Sequence, residues 1–332
     1  MTNKFKFVLQ KGFTLLELVL VLFLITLMAS ATLMLTENIE DQAKYDETKR
    51  RMEIMRKAIV GDPTRTVNDG PEISGFVADM GRLPICVAEL LTLGDASGSD
   101  FQSPCDGSLI KKWDEDPSSG IWFGWHGPYI QVLPEKNGNL RFRDGYGNTG
   151  TNASDAGGTN LDASDTADEE HNSGWTWKLD ASNAIIHMQS YGFDGSLKYP
   201  KGATIDDVTP LVYGRNHLTN SGSLVGRVRF LNLSTATSPN ILYLNLNYPN
   251  DVITSNSFTI DASSAGTGFS PQITFPSGTF IPMGVRTIQV LCDSTDYVYD
   301  GTCTNSTYNY FVNITISPTS QAIQFNLLWD IP

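Results

Sequence analysis

Hydrophobic and polar positions divide the chain into three textures. Residues 1–12 are polar and carry Lys4, Lys6 and Lys11, whereas Phe13 to Leu35 is a run of 23 residues with a single charge, Glu17. At about 1.5 Å per residue a helix of that length spans roughly 34 Å, enough for a hydrocarbon core of about 30 Å. From Thr36 to Ile59 the pattern stays helical but becomes charged. Met52, Met55 and Ile59 recur at three- and four-residue spacing, and Leu35, Ile39 and Ala43 continue the stripe upstream. Six acids and six bases lie between Glu37 and Lys57, acids leading and bases following. That order suits the dipole of a stem helix, and a solvated face gives the same pattern. Gly61-Asp62-Pro63 stops the periodicity. The expectation is one rod over 13–60, roughly 70 Å long, whose methionine stripe faces a globular head.

Beyond the rod, Pro84 to Leu93 reads as a short helix that opens on proline and is stopped by Gly94. After Pro210 charge thins out and period-two alternation takes over. Ile288, Val290 and Cys292 alternate, as do Tyr310, Val312, Ile314 and Ile316, and again Ile323, Phe325, Leu327 and Trp329. With Val225–Leu231 and Ile241–Leu246, this spacing predicts a β-sandwich of about seven strands over 211–332.

Composition narrows the function. A chain of 332 residues that is 40% hydrophobic and 18% charged is not a disordered protein, and a net charge of −13 argues against a bulk nucleic-acid partner. The four cysteines form no Cys-x-x-Cys pair, so neither a zinc ribbon nor a thioredoxin-type site is expected. Gly145-Tyr146-Gly147-Asn148-Thr149-Gly150 spells G-x-G-x-x-G, but a polar loop follows it in place of an apolar helix, so no phosphate cradle is expected. The four histidines show no metal-ligand spacing and no nucleophile motif occurs. The chain does not read as an enzyme. Trp122, Trp125, Trp175 and Trp177 are expected to serve core and sheet packing before a sugar cleft.

Three readings of the N-terminus compete. Ala29-Ser30-Ala31 has the form cut by signal peptidase, but the apolar stretch before it is longer than a signal sequence needs and contains a carboxylate. A plain one-span anchor explains the length and leaves Glu17 unexplained, since a carboxylate inside the bilayer costs about 2.5–3.5 kcal/mol on insertion scales and usually has a partner. The third reading uses Glu17. The segment Lys11-Gly12-Phe13-Thr14-Leu15-Leu16-Glu17 resembles the processing site of type IV prepilins and type II secretion pseudopilins.

That resemblance implies a leader over 1–12, cleavage by a prepilin peptidase between Gly12 and Phe13, and methylation of the new Phe13 amine. It implies that Glu17 is the assembly residue. Pairing the Glu17 carboxylate of an incoming subunit with a neighbour's Phe13 amine removes two uncompensated charges from lipid and fixes the axial stagger. Implied partners are other pilins or pseudopilins, in a homo- or hetero-polymer, and an inner-membrane assembly platform. The implied location is a single inner-membrane span with a periplasmic head before assembly, and a periplasmic or surface filament afterwards. An alternative is a low-copy tip subunit whose C-terminal domain binds a surface, a secreted substrate or DNA.

Four ordered blocks extend the resemblance to the head of the major pseudopilin: Trp125–Ile130 with its Gly-Pro-Tyr, which the resemblance implies is a strand, Asp144–Asn148, Gly174–Trp177 and Ser190–Gly195. They imply an α+β fold in which the long N-terminal helix packs on a three-stranded antiparallel sheet (61–210), followed by the sandwich-like domain. The family's calcium loop maps onto the Tyr191 carbonyl, Asp194, and Asp206 or Asp207. Eleven residues, including Lys198 and Lys201, separate Asp194 from Asp206; the competing reading is an Asp-Gly turn beside an unrelated acidic pair. Everything after Leu35 is expected on the side of the membrane where disulfides persist. Of the three possible pairings, Cys86–Cys105 with Cys292–Cys303 keeps each bridge within its own domain, and free buried thiols are the alternative.

Overall fold

A computed structural model of the chain describes residues 14–331 except 63, 68–69, 98–99, 150–170, 181–183, 193–209, 232–239, 261–268, 294, 306 and 320. The protein is α+β, with one long N-terminal helix and mostly small antiparallel sheets.

Helix α1 runs over Leu15–Val60, 46 residues. It starts where Thr14, in an extended conformation, lets its side-chain oxygen accept the Glu17 backbone N–H at 3.3 Å, which satisfies one donor of the first turn. It ends at Gly61, whose φ of 74° favours glycine and where a β-carbon would meet the Ser74 carbonyl oxygen at 2.6 Å. The last turns of α1 are buried at Met55, Ala58, Ile59 and Val60, so the methionine stripe does meet a head. Upstream, Ile39 and Ala43 do not. Ile39 is 69% exposed and Ala43 is exposed too, whereas Gly145 of the head docks further down, at Lys44 and Thr48.

The first core gathers these helix residues with α2 (Phe76–Met80), α3 (Ala88–Leu91) and a three-stranded sheet. That sheet comprises β1 (Thr176–Asp180), β2 (Ile185–Gln189) and β3 (Pro210–Val212), antiparallel in the order β3-β2-β1. Trp175, Trp177, Ile186, Met188 and Val212 supply its buried face. Two expectations are corrected here. The helix read over 84–93 shrinks to four residues, because the chain before it wraps around the fully buried Glu89 carboxylate. Glu89 accepts from both terminal nitrogens of Arg82, from the Ile85 N–H and from the Ser103 hydroxyl. The Gly-Pro-Tyr block is not a strand either. Its Tyr129 and Ile130 N–H groups both donate to the Leu90 carbonyl at the end of α3, leaving no ladder to join.

The second core lies between two sheets of the C-terminal domain. One contains β5 (Leu224–Leu231), β9 (Ile273–Thr274) and β13 (Ile323–Asp330), with β5 and β13 parallel. The other is built on β6 (Asn240–Tyr248), flanked by β7 (Asp251–Thr254), β8 (Phe258–Ile260) and β11 (Gly284–Cys292), with β12 (Val312–Ile316) outside β11. A small ladder pairs β4 (Leu218–Asn220) with β10 (Phe280–Pro282). Alternating Leu242, Leu244 and Leu246 face Ile288, Val290 and Cys292 in this core, as period two requires.

Strand β11 is buried on both faces because it also joins the domains. The Thr287 hydroxyl donates to the Ser119 carbonyl and the Gln289 amide to the Ser118 carbonyl. Met283 sits in the first core. The Arg286 guanidinium is fully buried and donates to the carbonyls of Ala78, Pro282 and Met283. Burial pulls Arg286 well below the ordinary arginine range, to about 9. Replacement by methionine, Arg286→Met, leaves three buried carbonyls without their donor and is expected to cost about 3 kcal/mol or more. Urea unfolding of the detergent-solubilised chain measures this, and a loss below about 0.5 kcal/mol, the range of an inert surface change, would show that Arg286 does not pin the domains together.

Candidate functional site

The feature that most needs a partner is the first half of α1. Leu15–Thr32 is long and apolar enough to cross a membrane, with a mean hydropathy of 2.3, and none of it is buried against the rest of the chain. Phe23 is 63% exposed and Leu16 77%. Its threonine hydroxyls at Thr26 and Thr32 are satisfied within the helix, donating to the Phe23 and Met28 carbonyls. Glu17 is therefore the one group in this stretch whose charge is left to a neighbour or to water. It stands in the first turn, where the helix dipole favours a carboxylate. Gly12 and Phe13, the residues of the expected cleavage junction, lie outside the described residues.

Below this segment the stem carries its own ion pairs: Glu40 with Lys44, Glu47 with Arg50 and Arg51, Glu53 with Arg56, and Lys57 with Asp62. Hydrogen bonds from Arg50 and Arg51 hold the Glu47 carboxyl down at about 2. Its support of the stem is therefore full above the ordinary carboxylate range and fades as the pH falls through that value. Such exposed pairs are each worth a few tenths of a kcal/mol. Arg51 does more, because it also donates to the Arg143 carbonyl at 2.7 Å and so ties the stem to the head.

That tie leads to Asp144, which is 3% exposed. One carboxylate oxygen accepts the N–H groups of Tyr146 and Asn148, at 3.1 and 3.0 Å. The other accepts the Asn148 amide at 2.8 Å and the Ser190 hydroxyl. Asn148 also donates to the Gly192 carbonyl at 2.9 Å, and the Gly145 N–H donates to the Thr48 hydroxyl on α1 at 3.0 Å. A β-carbon on Gly145 would sit 2.2 Å from the Lys44 carbonyl, so this contact needs glycine. Asp144 thus binds the Asp-Gly-Tyr-Gly-Asn turn, the Ser-Tyr-Gly turn and the stem into one unit. Residues 145–148 serve this junction, and residues 150–170, which follow the turn, lie outside the described residues. The sequence marks the turn, but nothing in it shows that the Asp144 carboxylate would be buried at the centre.

Of the expected calcium ligands, Tyr191 is buried at 3% exposure beside this network, while Asp194, Asp206 and Asp207 lie outside the described residues. Among the described residues no group of three or more His, Cys, Asp or Glu is arranged to hold a metal ion. Cys86 is bonded to Cys105 and Cys292 to Cys303, one bridge in each domain. Trp175 and Trp177 are buried and Trp125 half-buried, with its indole N–H on the Glu89 carbonyl. Trp122 departs from the expected packing role, being 49% exposed beside Trp113.

Removing the carboxylate in Asp144→Ala is expected to cost about 2–4 kcal/mol, because four donors lose one buried acceptor. Faster hydrogen exchange at the Tyr146 and Asn148 amides, with a lowered Tm, is the measurement; unchanged protection there would remove Asp144 from this role. The chain matches no protein-family model, no curated protein and no solved structure.

Proposed function

We propose that this protein is a structural subunit of a type IV pilus-like or type II secretion pseudopilus filament, polymerising through the first half of α1 after its leader is removed. One observation carries the reading: an uncovered apolar helix of membrane length, carrying one carboxylate near its start, continues without a break into a helix half held by a folded head. A membrane covers such a segment before assembly, and the same segments of neighbouring subunits cover it afterwards. In this reading Glu17 answers the Phe13 amine of the adjacent subunit. The segment Lys11–Glu17 supports the processing step, since glycine, phenylalanine and glutamate stand in register with the apolar run.

The C-terminal domain, with its own core and disulfide, favours a second reading in which the subunit sits at low copy at the filament tip. Shearing filaments from the native host separates the two by abundance, since a bulk subunit dominates the fraction and a tip subunit is scarce in it. In either case Glu17→Ala is expected to leave the protein in the inner membrane and to abolish its incorporation. Incorporation at the unaltered level would refute the role given to Glu17. Mass spectrometry of the mature N-terminus tests processing: methylated Phe13 supports the reading, and a chain beginning at Thr32 removes it.

A further inference from the structure

A cleft of about 960 Å³ opens where the head hairpin β1–β2 meets the C-terminal domain. Its volume lies at the upper end of sites that hold small organic ligands, about 300–1,000 Å³, and such sites favour domain junctions. Among the described residues, the lining carries one cation, Arg215, and no carboxylate. In a chain with 36 acids against 23 bases that is not the composition expected of an arbitrary surface. Arg215 forms no ion pair with a described carboxylate; its guanidinium lies over the Tyr213 ring at 4.2 Å.

The wall that presents it is pre-formed. The Tyr213 N–H donates to the Asn216 side-chain oxygen at 2.9 Å, and the Asn216 N–H returns to the Tyr213 carbonyl at 2.8 Å, closing a tight turn with Arg215 at its corner. Across the cleft mouth Asn220 and Phe280 are paired residues of β4 and β10. The Asn220 side-chain oxygen accepts the Gly222 N–H and, at 3.5 Å, the Gly278 N–H, and its NH2 group has no described acceptor. Phe280 is 57% exposed, a flat apolar face left open beside that amide. Thr319 and Gln321 add a hydroxyl and a second amide to the lining.

We propose that this cleft binds a short uronate-bearing glycan. The Arg215 fork takes the sugar carboxylate, the Phe280 ring takes the C–H face of a pyranose, and Asn220, Thr319 and Gln321 take its hydroxyls. A neutral sugar leaves the guanidinium unused, and a small inorganic anion leaves the aromatic wall unused. The assignment is independent of the filament reading, because it is measured on the unassembled chain.

The test is isothermal titration of the detergent-solubilised full chain with trigalacturonic acid, with galactotriose and inorganic phosphate as separate arms. Saturable binding of the trigalacturonate is expected, at least about tenfold tighter than either control. Arg215→Gln is expected to weaken it about tenfold or more, and Phe280→Ala by a similar factor. Arg215→Lys, which keeps the charge and loses the fork, falls between. Both residues are exposed, so the variants are expected to melt with the unaltered protein. Absence of saturable binding, equal affinity for galactotriose or phosphate, or full affinity in Arg215→Gln would each overturn the proposal.

Discussion

The constraint on which the rest of this structure depends is the uncovered apolar half of α1. From Leu15 to Met28 roughly a dozen large apolar side chains face outward, and burying them is worth on the order of 20 kcal/mol. That exceeds the net stability of a typical domain, about 5–15 kcal/mol, so the segment is not at equilibrium in water. Its backbone polar groups close within the helix, and its threonine hydroxyls close on the preceding turn. The helix is therefore compatible with lipid or with other helices over its whole length except at Glu17. In the proposed filament a lone carboxylate in an apolar stretch would act as a specificity element, because every neighbour that does not answer its charge leaves it uncompensated.

The other end of the same helix obeys a different constraint. Met55 and Ile59 are fully buried in the first core, and Gly145 packs against Lys44 and Thr48 so closely that no side chain fits. Asp144 organises the loop that makes this approach, and Arg51 adds a second tether from the helix side. Any force or position imposed on the exposed half is thus transmitted to the head through a continuous helix and a junction with satisfied hydrogen bonds. Between the two, Ile39 and Ala43 are exposed.

Local pattern made α1 legible nearly to the residue, because both its ends are set by local chemistry: Thr14 as cap and Gly61 as stop. The second core was similarly legible, since alternation at Leu242–Leu246 and Ile288–Cys292 reports one buried sheet face. Features that depend on distant partners were not. Glu89 looks like an ordinary helix residue, yet its burial among Arg82, Ile85 and Ser103 truncates α3. Period two assigns Thr287 and Gln289 to a solvated face, and both are covered by the loop at 118–119, which is remote in sequence. Arg286 is the extreme case, because nothing local distinguishes a buried arginine from an exposed one. Helix α1 was readable for its length and its charge, whereas the Asp144 junction that ties it to the head was readable only as a turn.

Domains joined by a linker ordinarily move relative to each other unless something specific fixes them. Here the fixing groups are polar and buried. Arg286 reaches the Ala78 carbonyl in α2, Thr287 and Gln289 hold the 118–119 loop, and Met283 enters the first core. Buried hydrogen bonds are directional, so they select one relative orientation where an apolar contact alone would tolerate several. The cost falls on Arg286, whose burial disfavours its charge and is offset by carbonyl acceptors and the nearby Asp79 carboxylate. An orientation held this way keeps the walls of the cleft between β1–β2 and the C-terminal domain at a constant separation. Arg215, on the turn before β4, and Phe280, on its partner β10, both stand on the C-terminal side, so the domain junction sets only how close the head residues Ala184 and Ile185 come to them.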